Sequence, residues 1–164
     1  GLTGLATEGV VSRLESIKQR RNMPYIAIIS HLNHLKNLIE PLTNIQADII
    51  RRYWPGPITF IFNKHPRVAD YITAGKRTIG IRFANFLPLN VLLNQIDSPI
   101  LSTSANIHTQ EVAATFSDIS PDLLSKCDFC YSEILPRFNQ CSTIVDISSE
   151  KPKVLRDGVV TFNG

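Results

Sequence analysis

Tyr25-Ile26-Ala27-Ile28-Ile29 is an unbroken apolar run of strand length, introduced by Pro24. It reads as a central strand covered on both faces, because a half-buried strand would alternate apolar with polar residues. Upstream, Val10, Val11, Leu14 and Ile17 recur at helical spacing between Thr7 and Arg20, with Thr7 as N-cap and Glu8 in the first turn. Downstream, Ser30 is placed to cap a helix with Leu32, Leu35, Leu38 and Ile39 on one face. His31 and His34 fall on that helix at i and i+3, near enough to share a metal. With no acidic or cysteine companion in the local sequence, they read as exposed polar residues.

Further out, a helix from about Thr43 carries Ile45, Ile49, Ile50 and Tyr53 and stops at Trp54-Pro55-Gly56-Pro57. Strand signals follow at Ile58-Thr59-Phe60-Ile61-Phe62 and Thr78-Ile79-Gly80-Ile81-Arg82-Phe83. A helix over Leu87 to Ile96 leads to the apolar Pro99-Ile100-Leu101 and then to Ser102-Thr103-Ser104-Ala105-Asn106. Residues 107 to 126 read as loop with short helical pieces. Phe129-Cys130-Tyr131, Ser142-Thr143-Ile144-Val145-Asp146 and Lys153-Val154-Leu155-Arg156 read as short strands. Strands and helices mixed without strict alternation predict an α/β fold whose sheet has mixed direction, with flanking helices.

The 164 residues, 43% apolar and 19% charged, suffice for one core, and a single domain is expected. No stretch reaches eighteen uninterrupted apolar residues, and Gly1-Leu2-Thr3-Gly4-Leu5 carries neither a basic leader nor a long apolar run, so a cytoplasmic location with no membrane partner is expected. Three cysteines suit a reducing compartment. Cys127-Asp128-Phe129-Cys130 is a CxxC, but it lacks the further ligands of a zinc site and the helix start of a redox pair, so these cysteines read as small buried hydrophobes. A net charge of +3 is too mild for a dedicated nucleic-acid binder.

Three places could carry chemistry. Lys18 and Arg20, two apart at the end of the first helix, could present charge to phosphates or simply complement the helix dipole. Ser102-Thr103-Ser104-Ala105-Asn106 follows a buried strand, where open α/β sheets tend to bind ligands, although such clusters also form plain capped turns. Arg82 shares one face of its strand with Thr78, and an arginine in an apolar strand is costly to bury without an anionic partner.

Taken in order, Lys18-Gln19-Arg20, Trp54-Pro55-Gly56-Pro57-Ile58-Thr59, Thr78-Ile79-Gly80-Ile81-Arg82, Ser102-Thr103-Ser104-Ala105-Asn106, Ser142-Thr143-Ile144-Val145-Asp146 and Val154-Leu155-Arg156-Asp157-Gly158 resemble the signatures of YrdC-type threonylcarbamoyl-AMP synthases, most nearly the compact TsaC-like ones. The resemblance implies a single YrdC-like domain over residues 1–164, with a twisted mixed sheet around a positively charged concave cavity. It implies an enzyme that joins L-threonine, bicarbonate and ATP into threonylcarbamoyl-adenylate and pyrophosphate, with magnesium on the phosphates and no protein-held metal. The product would feed threonylcarbamoylation of tRNA by downstream transferase machinery.

By the same resemblance, Lys18 and Arg20 neutralise phosphate charge, and Thr78, Ser104 and Arg156 join Arg20 in holding ATP. Arg82, Ser102 and Ser142 hold threonine, and Asn106 and Thr143 complete the pocket. The family carries a strand and a Pro-Thr-x-Thr-like segment before the Gly-Leu matched by Gly1-Leu2, so the sequence reads as shortened at that end. Arg21 stands where the family usually has proline. A non-catalytic protein binding tRNA or double-stranded RNA in the same concavity, or an inactive remnant of the synthase, are the alternative readings. Isolated aromatics favour the enzyme, because an RNA platform interleaves aromatic with basic residues.

Overall fold

A computed structural model of the protein describes residues 1–107, 111, 113, 115–132 and 141–164. Seven strands form one sheet: β1 (Leu2–Leu5), β2 (Ile26–Ile29), β3 (Ile58–Asn63), β4 (Thr78–Phe83), β5 (Ile100–Thr103), β6 (Thr143–Asp146) and β7 (Lys153–Arg156). Their spatial order is β1-β5-β2-β4-β3-β6-β7. The β2/β4 and β3/β6 pairs are parallel and the other four antiparallel, which makes the sheet mixed.

Strand alternation divides the sheet into two unlike faces. Ala27, Ile29, Ile79, Ile81, Ile58, Phe60, Phe62, Leu101 and Val145 point to one face and are all buried. That face packs against α1 (Glu8–Lys18) through Val11, Leu14 and Ile17, and against α3 (Asn44–Tyr53) through Ile49 and Ile50. Thr7 caps α1 by accepting from the Val10 N–H. Thr43 and Gln46 form a reciprocal capping box on α3. Gly4 is required by this packing, since a Cβ there would stand 2.4 Å from Val10 Cγ1.

On the opposite face α5 (Leu87–Ile96) brings Leu93 onto Ile28, Ala84 and Ile100, and Thr59 is buried, whereas Ile61, Thr78, Gly80 and Arg82 stay partly exposed. The central run is therefore buried on both sides over Ile28, as expected, whereas Ile26 is only partly covered.

Several expectations need correction. Ser30 caps no helix. The chain there makes a 3-10 turn over Leu32–His34 and a one-turn helix α2 (Leu35–Leu38), with Leu32 exposed and Leu35 and Leu38 buried. His34 is not an exposed residue: its Nε2 stands 3.4 Å from Asp97 Oδ1 and its ring packs edge-on to His31, so an acidic companion exists that the linear sequence hides. Phe129-Cys130-Tyr131 forms no strand, and Phe129 is 81% exposed. Its segment follows α6 (Pro121–Leu124) as a turn held by Arg13, which donates to both carboxylate oxygens of Asp128 and to the Lys126 carbonyl. Cys130 and Cys141 are exposed and only Cys127 is half-buried, its thiol pKa pushed up mainly by burial, so the cysteines are not core residues. Two elements had no reading in the sequence, β1 and the one-turn helix α4 (Asp70–Thr73). The helix predicted from Thr43 and the strands predicted over 58–62, 78–83, 142–146 and 153–156 are present within a residue or two.

Candidate functional site

The half-open sheet face collects most of the residues singled out in the sequence. Ile26 pairs with Gly80 on one side and Ser102 on the other, Ile28 pairs with Arg82, and Asn63 pairs with Thr78. Thr59 pairs with Ile144, which pairs with Arg156. Paired residues share a face, so Ser102, Thr78, Gly80, Arg82, Thr59 and Arg156 lie on one surface contributed by four strands.

On this surface Arg82 is only partly exposed, and its buried Nε has no hydrogen-bond partner among the described residues. Burial, followed by repulsion from Arg156, lowers the pKa of its guanidinium. Arg156 is held by Ser142: its Nε and one terminal nitrogen donate to the Ser142 carbonyl at 3.0 and 2.7 Å, and the same terminal nitrogen donates to the Ser142 hydroxyl at 3.1 Å. That hydroxyl lies 3.2 Å from Thr59 Oγ1, which makes a continuous polar chain from Thr59 through Ser142 to Arg156. Thr59 was not singled out in the sequence. Its place beside Ser142 depends on the parallel pairing of strands more than eighty residues apart, for which no local pattern exists.

A second group forms where α1 ends beside the loop after β5. Gln19 takes the left-handed conformation (φ 51°), and the N–H groups of Gln19 and Arg20 close on Ser16 and Glu15 carbonyls. This turn sends Lys18 inward, 1% exposed, and lets Arg20 follow along the edge of β5. The Lys18 ammonium donates to the Ser104 carbonyl (2.7 Å), the Ser104 hydroxyl (3.2 Å), the Asn106 side-chain oxygen (2.7 Å) and the Asn106 carbonyl. The Ser104 hydroxyl in turn donates to the Asn106 side-chain oxygen. Burial, and then the charge of Arg20, lowers the Lys18 pKa to about 8.

Arg20 donates to Thr103 Oγ1 at 3.0 Å, lies 5.5 Å from the centre of the Tyr25 ring, and keeps a buried Nε with no partner among the described residues.

The structure thus brings together Lys18, Arg20, Ser104 and Asn106 in one group, and Arg82, Ser142, Arg156, Ser102 and Thr78 on the adjoining face. Thr143 is a correction. It points to the core face, is wholly buried, and its hydroxyl donates to the Val160 carbonyl at 2.6 Å while accepting from the Val160 N–H, so it fastens the C-terminal tail. Lys18 also departs from the simple picture of a free phosphate-binding cation, since four oxygens already share its three protons.

Chemically, the two groups supply four cations and several hydroxyls. No group of three or more histidine, cysteine or acidic side chains that could hold a metal occurs among the described residues. Uncompensated buried guanidinium nitrogens are costly, and an anionic ligand is what would satisfy them. Two depressions lie elsewhere: one of about 640 Å³ on the outer side of α1, reaching Arg20, and one of about 660 Å³ between α3 and the segment joining β6 to β7. No described helix is long and apolar enough to cross a membrane.

Comparison with known proteins gives the family. The chain is 29% identical over 116 residues to the threonylcarbamoyl-AMP synthase of Yersinia enterocolitica, covering 69% of this chain and 61% of that protein. It is 26% identical over 152 residues to the threonylcarbamoyl-AMP synthase of Pyrococcus abyssi, covering 92% of this chain and 45% of that protein. The crystal structure of P. abyssi Sua5 complexed with L-threonine superposes with a TM-score of 0.86 at 26% identity, over 93% of this chain and 45% of that one. The chain therefore spans between about half and about three fifths of the length of these relatives. The Sua5/YciO/YrdC family model, described as "Telomere recombination", matches residues 1–158, and the chain belongs to that family.

Proposed function

We propose that this protein is a threonylcarbamoyl-AMP synthase whose open sheet face binds L-threonine beside ATP. The observation that carries the reading is Arg82: a guanidinium on an open sheet face, repelled by Arg156, with a buried nitrogen that no described protein group satisfies. A carboxylate matches that fork in charge and geometry. The names of the relatives, and the threonine in the Sua5 complex, support the choice of substrate.

In this reading threonine docks its carboxylate on Arg82, between Ser102 and Ser142, while Lys18, Arg20, Thr78, Ser104 and Arg156 face the nucleotide and Asn106 holds the Lys18 loop. Threonine's amine and bicarbonate condense to a carbamate, with the C–N bond formed and one bicarbonate oxygen leaving as water. A carbamate oxygen then bonds to the α-phosphorus as the bond from that phosphorus to the bridging oxygen breaks, and pyrophosphate leaves. The protein's contribution is placement and neutralisation of negative charge, not a nucleophile of its own. Magnesium enters as part of the ATP substrate, carried on its phosphates. The adenylate product suits transfer onto tRNA by a separate transferase in the cytoplasm.

Protein incubated with threonine, bicarbonate, magnesium and ATP is expected to release pyrophosphate that depends on threonine. Tight RNA binding with no such release would instead favour a non-catalytic RNA-binding protein.

Two subtler outcomes follow from the same geometry. Thr59→Val keeps the shape but removes the hydroxyl that fixes Ser142, so threonine KM should rise about fivefold with kcat little changed, the value of one neutral hydrogen bond. Thr59→Ser should restore it, and an equal fall in kcat would show that Thr59 is more than a positioning residue.

The second outcome concerns pH. Lys18 loses its proton as pH rises through about 8, so kcat/KM for ATP at saturating threonine should fall above that value. The kcat profile should fall at higher pH, because bound phosphates favour the ammonium. In Lys18→Arg this limb should vanish, since arginine stays charged. For stability the sign is opposite: the folded pKa lies below the unfolded 10.5, so the cost of burying the charge is present below about 8 and is relieved as pH rises from there to 10.5.

A further inference from the structure

Gly80 stands at the middle of the sheet, on the fourth strand of seven, on the open face between Thr78 and Arg82. Glycine inside a strand gives up side-chain packing and adds entropy to the unfolded chain, so its presence needs a reason. The two usual reasons within a fold are absent here. Its backbone is not in the left-handed region, Gly75 being the glycine with positive φ among the described residues. A Cβ at Gly80 would meet Thr59 Cγ2 at 3.6 Å and Ile26 Cγ1 at 3.7 Å, ordinary contacts, in contrast to the collision at Gly4. The fold therefore accommodates alanine at this position. What alanine would change is the space above the strand.

That space is bounded by chemistry suited to one kind of ligand. Arg82 follows Gly80 on the same face, about 7 Å along the strand. Ile26 and Ile61 flank Gly80 in register on β2 and β4's other neighbour β3, and both are only partly covered. Thr59 adds a methyl group on the side from which its hydroxyl reaches Ser142. A cation at one end, apolar walls and hydroxyls at the other match an amino acid with a short side chain.

Resting on the reading above that Arg82 takes a carboxylate, we propose that Gly80 is a specificity-determining residue. Its missing side chain leaves room above the strand between the partly exposed Ile26 and Ile61 that accepts the side chain of a small amino acid and limits its size.

The test compares wild type, Gly80→Ala and Ile26→Ala for threonine, serine and leucine, by pyrophosphate release and by amino-acid-induced thermal shift, which needs no turnover. One methyl group in a fitted pocket is worth roughly tenfold or more, so Gly80→Ala should raise threonine KM at least about tenfold relative to serine. ATP KM should stay within about twofold, because the added methyl enters the amino-acid pocket and not the phosphate site. Ile26→Ala enlarges the same space and should shift preference several-fold toward leucine, whose side chain is larger than that of threonine. A folded Gly80→Ala with unchanged threonine-to-serine preference, or with an equal rise in ATP KM, overturns the proposal. Should Gly80→Ala not fold, unchanged preference in Ile26→Ala overturns it. Wild type that shifts with no amino acid overturns the function reading as well, whereas wild type that binds threonine while both variants keep its selectivity defeats the Gly80 proposal alone.

Discussion

Arg82→Ala is expected to abolish nearly all threonine-dependent pyrophosphate release while leaving the fold intact. Arg82 lies on the open face and makes none of the ion pairs found among the described residues, and its Nε is unpartnered. Removing it deletes no packing anchor and relieves repulsion with Arg156. Thermal stability should therefore hold or rise slightly. In the complex the same deletion leaves a substrate carboxylate facing Arg156 alone, and losing one member of a desolvated charge pair costs about 2–5 kcal/mol, or roughly 30-fold to several thousand-fold in kcat/KM. Arg82→Lys should recover only part of the loss, since an ammonium cannot reproduce the bidentate fork. Steady-state kinetics with threonine varied, alongside a melting curve, checks both halves. Full activity in Arg82→Ala would remove the basis for placing threonine on this face.

Lys18→Met is expected to lower both stability and activity, for a different reason. Lys18 is the buried donor to four oxygens of Ser104 and Asn106, so methionine fills the volume but leaves those acceptors facing an apolar group. Buried acceptors stripped of a charged donor cost about 1–3 kcal/mol each when left unsatisfied, less where water can enter. A net loss of about 2–4 kcal/mol corresponds to a melting point lower by ~5–15 °C for a chain of this size. The Ser104-Ala105-Asn106 turn would lose its fixed position, and with it one wall of the proposed nucleotide site. A fall in kcat/KM of about a hundredfold or more is expected, comparable to losing a preorganised charge-stabilising donor. Lys18→Arg, which retains charge but cannot reproduce the compact four-oxygen arrangement, should separate the two effects: its pH limb disappears even where its stability falls. Unchanged melting and activity in Lys18→Met would show that the loop needs no ammonium and that phosphate neutralisation rests on Arg20.

Much of this could be read before any coordinates. The strand signals in Ile58–Phe62 and Thr78–Phe83, the helical spacing in α1 and the apolar spacing of the helix from about Thr43 are local, and each produced the element it predicted. Elements without a local signal were missed. β1 is four residues long and carries glycine, so it reads as a loop until β5 pairs with it. The segment Phe129–Tyr131 erred the other way. Its aromatic and cysteine content resembles a strand, but none of the seven described strands takes it in, and the Arg13 fork on Asp128 holds it as an exposed turn. Ser30 had the chemistry of a cap, yet the chain after it tightens into a 3-10 turn that leaves no helix start for its hydroxyl.

For the site the division is sharper. The sequence by itself determined which residues carry charge and hydroxyls, that Thr78 and Arg82 share a strand face, and that Lys18 and Arg20 follow the end of a helix, because these are consequences of local periodicity. Only the tertiary structure decided what each of them meets. Lys18 turned inward to the Ser104 loop 86 residues away, Thr59 came to hold Ser142 across 83 residues, and Thr143, one position beyond Ser142, faced the core instead of the ligand side. The physical reason is that strand order and register are set by burial of the apolar face as a whole. A one-residue change of position reverses the side on which a group lies, and no local pattern records which distant strand will be its neighbour.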